Sequence, residues 1–150
     1  MKIIQTPQNN PDVSYVFKEA FNEEEVSKII SQVENLPISS TNVGTADGGT
    51  VKADVKIRSS IIKWIPETEE FEWIYRKILD AAVKANNTNW RFDLVSSLEV
   101  IQYTEYPASE NGHYDWHIDI GTGDAQCKRK ISITVQLSDS DDYEGGNLLI

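Results

Sequence analysis

Cysteine is nearly absent. The sequence holds one, Cys127, so no intramolecular disulfide can form and a disulfide-stapled secreted scaffold is excluded. Basic residues are outnumbered: 14 Lys and Arg stand against 24 Asp and Glu, a net charge of −10. That balance argues against a nucleic-acid partner, because binding a phosphate backbone needs a Lys/Arg excess. No apolar run approaches the roughly 20 residues that cross a bilayer, so no membrane association is expected. The opening Met1-Lys2-Ile3-Ile4-Gln5-Thr6-Pro7 turns polar too soon for a signal peptide. Asn86-Asn87-Thr88 fits a glycosylation acceptor but, without secretion, reads as a polar loop. A reducing, cytoplasm-like compartment follows as the expectation. No internal repeat or low-complexity linker divides the chain. What is present is an acidic sequence of 150 residues, 39% hydrophobic and 25% charged, sized for a single domain over 1–150 with a real core.

The apolar spacing predicts elements. Residues 13–17 alternate as a short strand. Asn22 followed by Glu23, Glu24 and Glu25 is a helix start, with a capping side chain and acids at the positive end of the dipole. Val26, Ile29, Ile30, Val33 and Leu36 recur at helical spacing until Pro37. Residues 38–50, rich in Ser, Thr, Asn and Gly, read as a loop, and 55–65 as a strand carrying Arg58 and Lys63. Pro66 and Glu67 open a second helix whose stripe is Phe71, Ile74, Tyr75, Ile78, Leu79 and Ala82, broken by Asn86 to Asn89. Period-two patterning then predicts strands at 98–103, 114–120 and 131–137. Helices followed by strands imply an α+β domain, with 1–94 buttressing a β-rich part from 95 to 150. Trp64, Trp73 and Trp90 are expected in the core or in helix-to-sheet packing.

On an extended 113–120 strand, His113, Asp115, His117 and Asp119 share one face; Tyr114, Trp116, Ile118 and Ile120 share the other. Imidazole with carboxylate suits divalent iron, manganese or zinc. His117 and Asp119 lie about 6.6 Å apart along such a strand and can lean onto one ion, whereas His113 is roughly 20 Å from Asp119 unless the chain bends. The His113-x-x-x-His117 spacing is not that of a zinc protease, which needs a helix and a glutamate after the first histidine, where Tyr114 stands. Asp139, Asp141, Asp142 and Glu144 lack the Gly of a calcium loop and read as a solvated turn. The basic run Lys128-Arg129-Lys130 reads as solvent-facing, and Cys127 as structural.

The order of three blocks carries a resemblance. Trp116-His117-Ile118-Asp119 comes first, preceded by Tyr106-Pro107, then Arg129-Lys130-Ile131-Ser132, then Tyr143-Glu144-Gly145-Gly146. Over about residues 95–150 the sequence resembles the iron(II)/2-oxoglutarate-dependent dioxygenases of the prolyl 4-hydroxylase type, especially the PKHD-type hydroxylases of bacteria and phages. The resemblance implies a double-stranded β-helix, with His117 and Asp119 as catalytic metal ligands. It also implies Tyr106 and Tyr114 near the cosubstrate and Gln136 facing inward. Fe(II), 2-oxoglutarate and O2 are the implied cofactors, with ascorbate as an accessory. The implied reaction hydroxylates an unactivated C–H bond of a prolyl or other peptidyl residue, or of a small molecule, releasing succinate and CO2, in a bacterial or phage-infected host cytoplasm.

One departure stands out. The family's third ligand is a histidine beyond the Gly-Gly turn, followed by an Arg or Lys that pairs with 2-oxoglutarate. Here no histidine follows His117, and the sequence stops at Leu148-Leu149-Ile150 in what reads as mid-strand. The expectation is a C-terminal truncation that lacks the final strands, inactive at 150 residues and active at full length. The alternative is a non-catalytic β-sandwich or cupin-like binding module, or a degenerate oxygenase scaffold.

Overall fold

Asn22 starts the first helix, α1, Glu23–Glu34, in a computed structural model that describes residues 13–39, 42–44, 50–52, 54, 56–94, 98–121 and 126–150. Its Oδ1 accepts from the Glu25 amide at 2.9 Å, and Glu25 Oε2 accepts from the Asn22 amide at 2.8 Å, a reciprocal box. The last turn of α1 carries no basic residue of its own. The cation arrives from another element: buried Lys63 donates through Nζ to the Val33 and Glu34 carbonyls at 3.1 and 2.9 Å, satisfying acceptors that a helix end leaves open.

Lys63 lies on β5, Ile61–Ile65, the centre of a three-stranded antiparallel sheet between β1, Ile38–Ser39, and β6, Ile101–Glu105. The registers are Ile38 opposite Lys63 and Ile65 opposite Ile101. A second antiparallel pair joins β2, Asn42–Gly44, to β3, Thr50–Lys52. The third joins β4, Arg58–Ser59, to β7, His113–Tyr114, with Arg58 opposite Tyr114 and Ser59 opposite His113.

Helix α2, Glu72–Ala85, buries Ile74, Ile78, Ala82 and Ala85 as its periodicity requires. Phe71 just ahead of it is buried too, while Leu79 is half-exposed. Ile29 and Val33 of α1, Ile65 of β5, and Phe71, Ile74 and Ile78 form the core between helices and sheet. Tyr75 ties the layers together: its hydroxyl donates to the Ile65 carbonyl at 2.6 Å and accepts from the Ile101 amide at 3.0 Å.

The α+β class is as expected, and several boundaries are not. The second helix does not open at Pro66 and Glu67; residues 66–71 form turns, with the Phe71 amide donating to the Thr68 carbonyl at 3.0 Å. Asn86 to Asn89 do end the α-helix, whose last residue is Ala85, but the chain does not leave the helical path there. The chain widens into a π-turn, Asn86–Trp90, and stops at Arg91, which takes the left-handed conformation (φ 58°). Buried Asn86 fixes that exit, accepting from the Phe92 amide and donating to its carbonyl. Residues 13–17 are irregular, with Val13 and Val16 exposed, because no neighbouring strand completes a ladder. The expected 38–50 loop contains β1, β2 and the first residue of β3, though 40–41 and 45–49 lie outside the described residues, as do Val55 and Met1 to Pro7. Trp64 is 47% exposed, on the outer face of β5, and Trp73 and Trp90 are partly buried. Among the described residues no helix is long and apolar enough to cross a membrane.

Candidate functional site

The expected strand through residues 114–120 ends at Tyr114. Asp115 turns the chain: its amide donates to the Ile57 carbonyl at 2.8 Å, while its own carboxylate accepts from the Trp116 amide at 2.8 Å. A side chain that binds its neighbour's backbone competes with a ladder in this way. Residues 115–120 are therefore irregular and exposed, and the expected apolar back face is absent: Trp116 is 72% and Ile118 80% exposed.

The turn brings His117 and Asp119 together all the same. His117 Nδ1 lies 2.9 Å from the Asp115 carbonyl. A carbonyl only accepts, so Nδ1 donates in that contact, and Nε2 is the nitrogen left for the carboxylate, a donor in the charged ring and a lone pair in the neutral one. Nε2 stands 3.4 Å from Asp119 Oδ1. In the neutral ring two acceptors face each other, an arrangement that suits a cation between them. Donors about 2.1 Å from one ion would span that 3.4 Å edge at an angle of about 108°. Imidazole held by a backbone carbonyl through its second nitrogen is how proteins orient a metal-binding histidine.

Asp119 is braced from two sides. Ser132 Oγ donates to its Oδ2 at 2.5 Å, and Arg129 Nη1 donates to its backbone carbonyl at 2.6 Å. Arg129 also forks onto Glu99, through Nε at 2.5 Å and Nη2 at 2.6 Å. The hydrogen bond from Arg129 holds the Glu99 carboxyl below the usual range, against a partial burial that pushes it up. Arg129 is thus not the solvent-facing cation its basic neighbours imply; Cys127, in contrast, is exposed.

His113 is removed from any ligand set. Its Nδ1 lies 2.8 Å from the Asn111 carbonyl and its Nε2 3.1 Å from the Lys56 carbonyl, so two acceptors ask both nitrogens to donate. Those carbonyls, Asn111 first, raise its pKa.

Tyr114 stacks on the His117 ring, centroids 3.7 Å apart at 15°. The Arg58 guanidinium lies 4.3 Å from the centre of the Tyr114 ring. Tyr106 is close to both; burial raises its pKa and the nearby Arg58 opposes the rise. Tyr114 therefore stands against His117, and Tyr106 stands beside Tyr114 and Arg58, the last a residue that sequence reasoning left out of the site. Its signal in the sequence was weak: Arg58 is one of three cations, with Lys56 and Lys63, on a segment rich in β-branched residues. Gln136 is exposed on the 131–137 segment, outside this stack. That segment is not assigned as a strand, and its exposure alternates only from 134 to 137: Val135 and Leu137 are partly buried and Thr134 and Gln136 exposed, while Ile133 is exposed with its polar neighbours. Gly145 and Gly146 take positive φ, 81° and 61°, as a tight bend needs.

No third His, Cys, Asp or Glu joins His117 and Asp119 in a metal-binding cluster among the described residues. A groove of about 550 Å³ lies elsewhere, bordered by Glu67, Glu69, Glu72, Tyr75 and Leu98, and shares no residue with the pair. No protein-family model, curated protein or solved structure matches the chain.

Proposed function

We propose that this protein is an Fe(II)- and 2-oxoglutarate-dependent dioxygenase that hydroxylates an unactivated C–H bond of a peptide or small molecule. The carrying observation is the His117–Asp119 pair, an imidazole nitrogen and a carboxylate oxygen 3.4 Å apart, with the other ring nitrogen held by a backbone carbonyl. Imidazole and carboxylate are two of the three protein ligands of the facial triad that leaves open positions on non-haem iron. When bound, iron and 2-oxoglutarate supply the oxidising chemistry, with succinate and CO2 as products. The protein's residues supply position: the Asp115 carbonyl holds the His117 ring, Ser132 and Arg129 hold Asp119, and Tyr114 covers the imidazole face. The order of the Trp-His-x-Asp, Arg-Lys-x-Ser and Tyr-Glu-Gly-Gly blocks supports the same reading, and with it a double-stranded β-helix as the parent fold.

The test has two readouts. Mn(II), as a spectroscopic stand-in for iron, should bind the protein and lose its site in His117→Ala and Asp119→Ala. Succinate should form from 2-oxoglutarate only with Fe(II), and not in Asp119→Ala. Succinate formation unchanged in that variant would remove His117 and Asp119 from the chemistry. A non-catalytic binding scaffold is favoured by one observation: both side chains are open to solvent, 39% and 50% exposed. That reading gives no Fe(II)-dependent succinate in any variant.

A further inference from the structure

The spacing that predicts α2 puts Leu79 in its buried stripe, yet the structure leaves Leu79 40% exposed. Val83, one turn on, is 43% exposed. With Glu72 and Arg76 these two form one flank of α2, at i, i+4, i+7 and i+11. An amphipathic helix turns polar residues to water, so neighbouring aliphatics on an outer flank mark a surface that binds something. That flank lines the groove of about 550 Å³, together with Tyr75 and Leu98. The turn ahead of α2 adds Glu67 and Glu69 at the N-terminal end of the flank. The lining is held in place. Two hydrogen bonds fix Tyr75, and the Thr68 carbonyl accepts from the Phe71 and Glu72 amides at 3.0 and 2.9 Å. Its charge is one-sided. Glu72 is paired with Arg76, while no cation stands within ion-pair distance of Glu67 or Glu69 among the described residues. Burial raises the Tyr75 pKa, and Glu67 is close enough for its charge to add to that rise.

We infer that this groove binds a basic and aliphatic peptide segment of another protein. A Lys or Arg of the segment meets Glu67 and Glu69, and its aliphatic side chains cover Leu79, Val83 and Leu98. Charge complementarity selects the cation, since Arg76, the one positive group among the lining residues, is already paired. Length selects a peptide over a small metabolite. From Glu72 to Val83 the flank runs about 16 Å, the reach of roughly five extended residues. The acidic lining repels a phosphate backbone, and a second copy of this chain brings its own net charge of −10. The groove shares no residue with His117 and Asp119, so either assignment can fail without the other.

The experiment is fluorescence anisotropy in EDTA, with a short labelled peptide alternating lysine and leucine as the probe. Two control peptides replace its lysines by glutamate or its leucines by serine. The lysine–leucine peptide should bind, and each control should bind about tenfold more weakly or worse. Glu67→Gln combined with Glu69→Gln should weaken binding by about tenfold, and Leu79→Ser by several-fold. All three positions are exposed, so these variants keep the fold. Asp141→Asn combined with Asp142→Asn removes the same charge outside the groove and should change binding by less than about twofold. In a methyl NMR spectrum the peptide should shift Leu79, Val83 and Leu98, and leave the exposed Ile118 and Leu148 where they are. No binding, equal binding of the serine control, or equal loss in the two charge variants overturns the proposal. Methyl shifts confined to Ile118 and Leu148 do the same. So does a dimer in sedimentation that Leu79→Ser abolishes, which would assign the flank to a second copy.

Discussion

His113 and His117 stand four residues apart, and their surroundings differ by one acceptor. Both His113 nitrogens face carbonyls, while His117 has one carbonyl and one carboxylate. The Asn111 and Lys56 carbonyls raise the His113 pKa, and Asp115 adds to the rise. The folded state therefore holds this proton more tightly than the unfolded chain does. The resulting stabilisation is fully present below the ordinary histidine value of about 6.5 and is lost as pH rises through the higher folded value. The urea midpoint of the wild type relative to His113→Gln should fall across that interval; a rising difference would mean the ring is bound neutral. For His117 the relevant neighbours are those of its partner. Removing the Ser132 hydroxyl or the Arg129 guanidinium frees Asp119 to rotate, so Ser132→Ala and Arg129→Gln should each weaken Mn(II) binding by about 10–100-fold. An unchanged affinity by titration calorimetry would show that Asp119 needs no brace. The two-residue spacing made the His117–Asp119 pair legible in the sequence. Its braces were not: Ser132 is 13 residues and Glu99 20 residues from Asp119, and nothing local links them.

At the level of elements, the start of α1 was readable because all its determinants lie within three residues. Asn22→Ala should accordingly cost about 1 kcal/mol in chemical denaturation. The C-terminal end of α1 was not readable, since its cation, Lys63, reaches it from β5 across 30 residues. Lys63→Met keeps the apolar stem and removes the charged donor from two helix-end carbonyls. It should lower stability by about 1–3 kcal/mol, and a loss below half a kcal/mol would mean that water replaces it freely. Strands fared worst, for a physical reason. Alternation is a property of one segment, whereas a ladder needs two. Residues 98–103 found a partner in β5, shifted to Ile101–Glu105, and 55–65 split into β4 and β5. Residues 13–17 found none, and Asp115 spent its hydrogen bonds on a turn. The 131–137 segment shows the consequence, because without a ladder its alternation lapses at Ile133, which is exposed.

At the scale of the whole molecule, the buried residues among those described are confined to one stretch of sequence. All of them, from Ile29 to Asn86, come from the two helices, β4, β5 and the turns beside α2. From residue 98 onward nothing among the described residues is fully buried, and Val135 and Leu137 only lean on the core. The proposed ligands His117 and Asp119 thus sit in the part of the chain with the least packing to order it. Local opening free energy follows buried contact and ladder hydrogen bonds, so amide exchange should be slow in α1, α2, β5 and β6 and fast over 115–121 and 129–137. Uniform protection along the chain would contradict this gradient. A metal ion would then do more than occupy a preformed site. Joining His117 to Asp119, and through Asp119 to Ser132 and Arg129, it would tie the 115–121 segment to 129–132 by bonds the packing does not supply. Saturating Mn(II) should therefore slow exchange in those two segments while leaving α1 and β5 unchanged, and EDTA should reverse it. The same slowing in Asp119→Ala would place the ion somewhere else on this acidic surface, since only a site built on Asp119 couples the two segments.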